Sequence, residues 1–78
     1  MVSSVFVEIN SLHGFEVRIE GEGITISDAR SIAREAIEEL VGRKVRLHMI
    51  CNNDPLIPKD IVCTGFFRTK KALPVDIE

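Results

Sequence analysis

The sequence predicts a small α+β domain in which the elements follow the order ββαββ. Residues 15–20 alternate between apolar and charged side chains, which is typical of a half-buried strand. Residues 29–40 carry apolar side chains three and four positions apart, which is typical of a helix with one buried stripe. The chain is 78 residues long, so we expect one domain over 1–78, with a mostly antiparallel sheet and the helix packed on one face.

Two strands are predicted before the helix. Residues 5–9 and 15–20 have apolar side chains at odd-numbered positions, so these are expected to face the helix and the even-numbered ones to face away. A polar loop ending at Gly14 joins the two strands as a hairpin. The segment Gly21-Glu22-Gly23 interrupts the alternation, and we expect a bulge or bend there that redirects the chain toward the helix.

The helix is predicted over about 28–41. Ser27 or Asp28 is expected to cap its N-terminus through a side-chain oxygen. Gly42 is expected to end the helix in the left-handed conformation. The buried stripe is expected to consist of Ala29, Ile32, Ala33, Ala36, Ile37 and Leu40.

Two more strands are predicted over 45–51 and 61–67, separated by a turn-rich loop with two prolines. Their odd-numbered positions, which include Cys51 and Cys63, are expected to face the helix. Residues 68–78 are expected to add a short edge strand or to form a loose tail, because the proline in this segment is unsuited to a central strand.

The sequence predicts no catalytic or metal site. His48, Cys51 and Cys63 have the residue types of metal ligands, but their spacing is not that of zinc sites, and His48 and Cys51 are expected on opposite faces of one strand. We therefore expect no metal, no cofactor and no enzyme activity. The cysteines are expected to be buried free thiols. With no membrane-spanning stretch and no secretion signal, the sequence predicts a cytoplasmic protein without a membrane partner.

The sheet face directed away from the helix is the predicted functional surface. Charged residues are expected on a face left to solvent, and a cluster of large apolar residues is not. Apolar side chains inside a polar rim are typical of protein-binding surfaces and of homodimers that pair their sheets. The alternatives are that the tail folds back over this face, or that the assigned parity of the strands is wrong by one residue. The residues predicted to bind a partner are Phe6, Glu8, Glu16, Arg18, Glu20, Arg46, His48, Ile50 and Phe66, and Val62 and Thr64 share their face.

The basic side chains provide an alternative function. They form two groups next to predicted strands, and these groups could meet at one end of the sheet to contact phosphates. Against this, the sequence pI is about 5.7 and the chain has no Trp or Tyr on which bases could stack. The residues of this predicted nucleic-acid surface are Arg43, Lys44, Arg46, Arg68, Lys70 and Lys71.

The chain opens with VFVEIN and FEVRIEG ahead of a helix and a further strand, and in this order it resembles the ubiquitin-type β-grasp family. The resemblance implies that a last strand pairs in parallel with the first. The segment from Cys51 to Ile61 is shorter than its counterpart in that family, and the chain ends Val75-Asp-Ile-Glu78, whereas modifiers end in Gly-Gly. What the resemblance implies is therefore a non-conjugating interaction domain.

The chain is also similar to small phage- or virus-encoded inhibitors of host defence, the anti-CRISPR type, in its size, its acidic charge and the placement of ITISDARSIAREAIEEL between strands. This resemblance implies stoichiometric blocking of a larger nucleoprotein complex in the host cytoplasm. Glu8, Glu16, Glu20 and Glu22 would stand in for nucleic-acid phosphates against a basic groove.

The predicted function is thus a non-catalytic protein-binding module, with a phage inhibitor of a CRISPR effector as its specific form. The alternatives are a small nucleic-acid-binding protein, and a structural homodimer or ubiquitin-like interaction domain.

Overall fold

The computed structural model describes residues 1–10 and 14–68 and confirms the predicted order of elements. Four strands and one helix are present in this part of the chain, and from residue 69 onward the predicted edge strand or tail lies outside the described residues. The elements are β1 (Val2–Ile9), β2 (Gly14–Gly21), α1 (Ile26–Val41), β3 (Leu47–Asn53) and β4 (Ile61–Phe67).

The strands form one sheet in the order β1-β2-β4-β3, and every neighbouring pair is antiparallel. The short loop between β3 and β4 allows only a hairpin, so β4 returns beside β3 and occupies a central position next to β2. The expectation of a β-grasp variant is therefore wrong, because β4 pairs with β2 and β3 and not in parallel with β1.

The core lies between α1 and one face of the sheet, and the predicted inward parity of all four strands is confirmed. Odd-numbered strand residues point toward the helix, where the rings of Phe15 and Phe67 approach with centroids 5.2 Å apart. The buried apolar residues are Phe15, Val17, Ile19, Ala29, Ala33, Ile37, Met49, Cys51, Ile61, Cys63 and Phe67.

The helix begins two residues earlier than predicted because Thr25 caps it. The Thr25 side-chain oxygen accepts a hydrogen bond of 3.0 Å from the Asp28 backbone N–H, so the expectation of a cap at Ser27 or Asp28 is wrong. The predicted stop is confirmed, since Gly42 has φ of 88° and donates to the Glu38 carbonyl. Leu40, predicted to be buried, is 56% exposed.

The predicted bend at Gly21-Glu22-Gly23 is present. Gly23 has φ of 70°, a left-handed conformation that favours glycine, and the Glu22 N–H donates to the Met1 carbonyl at 2.9 Å. The register of β1 on β2 shifts by one residue between Val2 and Ser4 at the same end of the sheet. The chain therefore leaves β2 and crosses to α1 where the two glycines lie.

Cys51 and Cys63 form a disulfide, so the expectation of free thiols is wrong. The two residues lie directly opposite each other on β3 and β4, with Cα atoms 4.0 Å apart, and both are buried. The sequence placed both on the inner face, but it did not show the register that makes them partners. The argument from free thiols for a cytoplasmic location no longer holds, and that location stays a prediction. Within the described residues, α1 is the one helix and it is too short and too polar to span a bilayer.

Candidate interaction surface

We call the sheet face directed away from α1 the outer face. The register confirms that the strand residues predicted to lie on this face do so. Glu20 lies opposite Ser4, and Arg46 lies just before β3, where its carbonyl accepts from the Arg68 N–H at 2.9 Å. That these residues bind a partner stays a prediction. The other rows of opposed residues are Phe6, Arg18, Val62 and Asn52; Glu8, Glu16, Thr64 and Ile50; and Phe66 with His48.

The large apolar side chains of the outer face concentrate on β3 and β4. Ile50 is 54% exposed and Phe66 is 45% exposed. Ile50 lies opposite Thr64, so Phe66 on one side and half-buried Val62 on the other are its diagonal neighbours on β4. The His48 ring packs against Phe66 with centroids 5.0 Å apart. We call Ile50, Val62, Phe66 and the His48 ring the apolar patch. Its exposed aromatic and aliphatic surface is of the kind that anchors protein partners.

The remaining exposed aromatic residue, Phe6, stands apart from the apolar patch. Phe6 is 56% exposed and belongs to β1, the edge strand at the opposite side of the sheet from β3. Strand spacing places β1 about 14 Å from β3. A partner that contacts Phe6 and Ile50 together must therefore cover the full width of the sheet.

Two carboxylates face each other on the half of the outer face formed by β1 and β2. Glu8 and Glu16 are directly opposed in the register, and among the described residues neither forms an ion pair. Like charges in opposed positions destabilise a sheet, because the two side chains lie close together. We call these residues the acidic pair. A positive group placed between them would relieve the repulsion.

Arg18 lies at the centre of an internal ion-pair network. Its guanidinium lies 2.7 Å from Asp54 Oδ2, 3.0 Å from Asp60 Oδ2 and 3.4 Å from Glu20 Oε2. Asp60 is 3% exposed, so Arg18 compensates a buried carboxylate. The hydrogen bond to Asp54 raises the pKa of Arg18 above its ordinary value. Arg18 therefore connects β2 to the loop between β3 and β4 through ion pairs, a role that the sequence did not reveal.

Asp54 organises that loop from within. Its Oδ1 accepts hydrogen bonds from the N–H groups of Leu56, at 2.8 Å, and Ile57, at 3.4 Å, and its own N–H donates to the Asp60 carbonyl. The hydrogen bond from Leu56 and then the one from Arg18 hold the pKa of Asp54 below its ordinary value. The turn sequence Asn53-Asp54-Pro55 was the available signal for this arrangement.

The structure brings one residue of each predicted basic group, Arg46 and Arg68, together where β3 begins and β4 ends. Arg46 and Arg68 are joined by a backbone hydrogen bond, and Arg34 of α1, which the sequence did not indicate, adds a third guanidinium. These three arginines line a cleft of about 420 Å³ together with Val45 and Leu47. Arg43 and Lys44 lie in the segment that precedes β3, whereas Lys70 and Lys71 lie outside the described residues.

The three residues with metal-ligand chemistry do not converge. Cys51 and Cys63 are bonded to each other on the inner face, and His48 lies on the outer face. In residues 1–10 and 14–68 no three or more His, Cys, Asp or Glu side chains are arranged to hold a metal ion.

Comparison with protein-family models, with curated proteins and with solved structures finds no match to this chain.

Proposed function

We propose that the chain is a non-catalytic protein-binding module that uses the outer face of its sheet. The observation that carries this proposal is the exposure of Ile50 and Phe66, two large apolar side chains in diagonal positions on neighbouring strands, on a face that α1 does not cover. A few residues buried at the centre of an interface provide most of the binding energy in typical complexes, and burial of apolar surface favours association. The acidic pair and Thr64 supply the polar surroundings that such a centre requires.

The partner's chemistry follows from the two halves of the face. An apolar cavity or ridge fits the apolar patch, and arginine or lysine side chains fit the acidic pair formed by Glu8 and Glu16. A basic groove that normally holds nucleic-acid phosphates has these properties. We therefore propose a stoichiometric inhibitor of a host defence nucleoprotein as the specific form of the module, in which the acidic pair occupies positions of phosphates.

The test is capture of a partner by the tagged chain from lysate of the cells in which it acts, with and without nuclease. Phe66→Asp is expected to abolish capture, because it places a charge at the centre of the apolar patch. Leu56→Asp is the matched control, since Leu56 is 89% exposed on the loop between β3 and β4. Capture that survives nuclease, persists in Leu56→Asp and is lost in Phe66→Asp supports the module. Equal capture by both variants contradicts it.

The identity of the captured protein tests the specific form. A nuclease effector whose activity the chain blocks at equal molar amounts supports the inhibitor. A partner without a nucleic-acid groove leaves the module but removes the inhibitor.

A second candidate function is nucleic-acid binding at the basic cleft. The meeting of Arg34, Arg46 and Arg68 at one cleft supports it. Phosphate contacts release counterions, so binding of a labelled oligonucleotide is expected to weaken steeply as salt rises and to be lost in Arg46→Glu. Absence of binding at low salt contradicts this candidate, and capture that nuclease abolishes favours it over the protein-binding module.

A further inference from the structure

The two edges of the sheet differ in how their outward backbone groups are satisfied. On β3 the even-numbered residues pair with β4, as the Arg68-to-Arg46 hydrogen bond shows, so odd-numbered residues direct their N–H and C=O groups to the edge. Arg30 Nη1 donates to the Met49 carbonyl at 2.9 Å, and Arg34 Nη1 donates to the Val45 carbonyl at 3.0 Å. Side chains of α1 thereby occupy carbonyls along this edge, which is one way in which proteins prevent edge-to-edge pairing.

No such cover is present on β1 within residues 1–10 and 14–68. The Asn10 N–H donates to the Gly14 carbonyl at 2.9 Å, so even-numbered residues of β1 pair with β2 and odd-numbered ones direct their backbone groups outward. No hydrogen bond to the outward groups of Val5, Val7 or Ile9 is made by another described residue. We call the outward backbone groups of Val5, Val7 and Ile9, which no other described residue covers, the bare edge. Glu8 is the one charged side chain of β1.

An apolar groove runs beside this bare edge. It has a volume of about 560 Å³ and lies between β1 and α1, lined by Val5, Val7, Ala36 and Leu40 with Glu39 at its rim. Leu40 is 56% exposed and Val5 is 36% exposed, although both belong to the apolar stripes that face the core elsewhere. Among the described residues, the bare edge and the groove together present backbone groups without a hydrogen-bond partner next to exposed apolar surface, which is what an added strand requires.

We propose that the occupant is a second copy of this chain, joined by antiparallel pairing of β1 with β1 into a continuous eight-stranded sheet. The two-fold axis passes beside Phe6 and perpendicular to the sheet, so both helices lie on the same side. This contact joins two sheets edge to edge and differs from the face-to-face homodimer considered from the sequence. It does not use the apolar patch, which lies on β3 and β4, but it shares Glu8 of the acidic pair with the proposed function.

The register of this pairing follows from the residues of β1. With Phe6 opposite its counterpart, Val5 of each copy lies opposite Val7 of the other, and the outward backbone groups of these residues form about four hydrogen bonds. Glu8 then lies opposite Ser4, whose hydroxyl can donate to the carboxylate. Registers centred on Val5 or Val7 instead place Glu8 opposite an apolar residue. The Phe6-centred register also places Val5 and Val7 of both copies around the two-fold axis, on the side of the sheet that carries the helices and beside Leu40 of each copy.

Sedimentation equilibrium of the wild-type chain and of Val5→Pro tests the edge. The wild type is expected at twice its monomer mass of 8.7 kDa. The N–H of Val5 points away from β2, so proline removes an outward donor while leaving the pairing with β2 intact, and edge strands tolerate proline. Val5→Pro is expected to raise the dimer dissociation constant about tenfold or more. A wild-type chain that remains at 8.7 kDa at millimolar concentration overturns the proposal, as does an unchanged dissociation constant in folded Val5→Pro.

Disulfide trapping tests the register without relying on Val5→Pro. Phe6→Cys places two thiols in opposed positions at the axis and is expected to cross-link into a covalent dimer under mild oxidation. Glu8→Cys, on the same strand and face, is the control and is expected to stay largely uncross-linked. The native Cys51 and Cys63 are bonded to each other and buried, so they do not contribute thiols. Equal cross-linking of both variants, or none in Phe6→Cys, overturns the proposed register.

Discussion

Phe66 and Phe67 are neighbours in the chain, yet their replacement by alanine is expected to have very different consequences. Phe67 faces α1 and is 3% exposed, and its ring packs against Phe15. Removal of a buried phenylalanine costs about 3–5 kcal/mol, whereas a domain of this length is typically stable by about 4–12 kcal/mol in total. Phe66 faces outward and is 45% exposed. Phe66→Ala is therefore expected to cost about 1 kcal/mol or less.

Urea denaturation followed by circular dichroism measures both variants. With an m value of about 1 kcal/mol/M, the midpoint of Phe67→Ala is expected to fall by about 3 M or folding to be lost, and that of Phe66→Ala by about 1 M or less. Equal losses would refute the register of β4, because a slip of one residue exchanges the two faces of a strand. The outer face would then carry Phe67, and the apolar patch would not exist as described.

Three more predictions concern β3, β4 and the loop that joins them. A Cβ at Gly65 would overlap the His48 backbone carbonyl oxygen, so Gly65→Ala is expected to lower the free energy of unfolding by about 1–3 kcal/mol, measured by urea denaturation. The pKa of Asp54 is lower in the folded chain than in the unfolded chain, so the charged carboxylate stabilises the fold above the unfolded pKa of about 4, and this stabilisation is lost as the pH falls through the folded pKa. The difference in Tm between wild type and Asp54→Asn is therefore expected to vanish in acid. Alkylation of the unfolded chain is expected to modify Cys51 and Cys63 only after reduction, as read from the intact mass.

Each of these predictions has a result that contradicts it. Gly65→Ala with a wild-type midpoint would show that β3 does not approach β4 as closely as described. A pH-independent difference between wild type and Asp54→Asn would show that the carboxylate is not held in its charged form by Leu56 and Arg18. Alkylation without reductant would show free thiols.

Alternation and helical periodicity were sufficient to predict the order of elements, the parity of every strand and the stop at Gly42. These features depend on residues close in sequence, so the pattern records them directly. Thr25 was missed because Ser27 and Asp28 have the same capping chemistry two and three residues later. Leu40 was placed in the core because its position fits the helical stripe, and the sequence does not show that the groove beside β1 leaves it uncovered.

The contacts that the sequence did not reveal join residues far apart in the chain. Arg18 and Asp60 are separated by 42 positions, and only the pairing of β2 with β4 brings them together. The disulfide likewise depends on the register of β3 on β4, which the parity of each strand leaves undetermined. The outer face was predictable as a set of residues, but the separation of its apolar patch from Phe6 required the strand order.

Binding of a protein at the outer face can be mapped residue by residue on the chain. The ¹⁵N-labelled chain is titrated with the captured partner, and amide signals are compared between the free and bound states. We expect the perturbations to concentrate at Ile50, Thr64 and Phe66 and to spare the exposed side of α1 at Glu35. Perturbations confined to α1, with Ile50 and Phe66 unchanged, would contradict it.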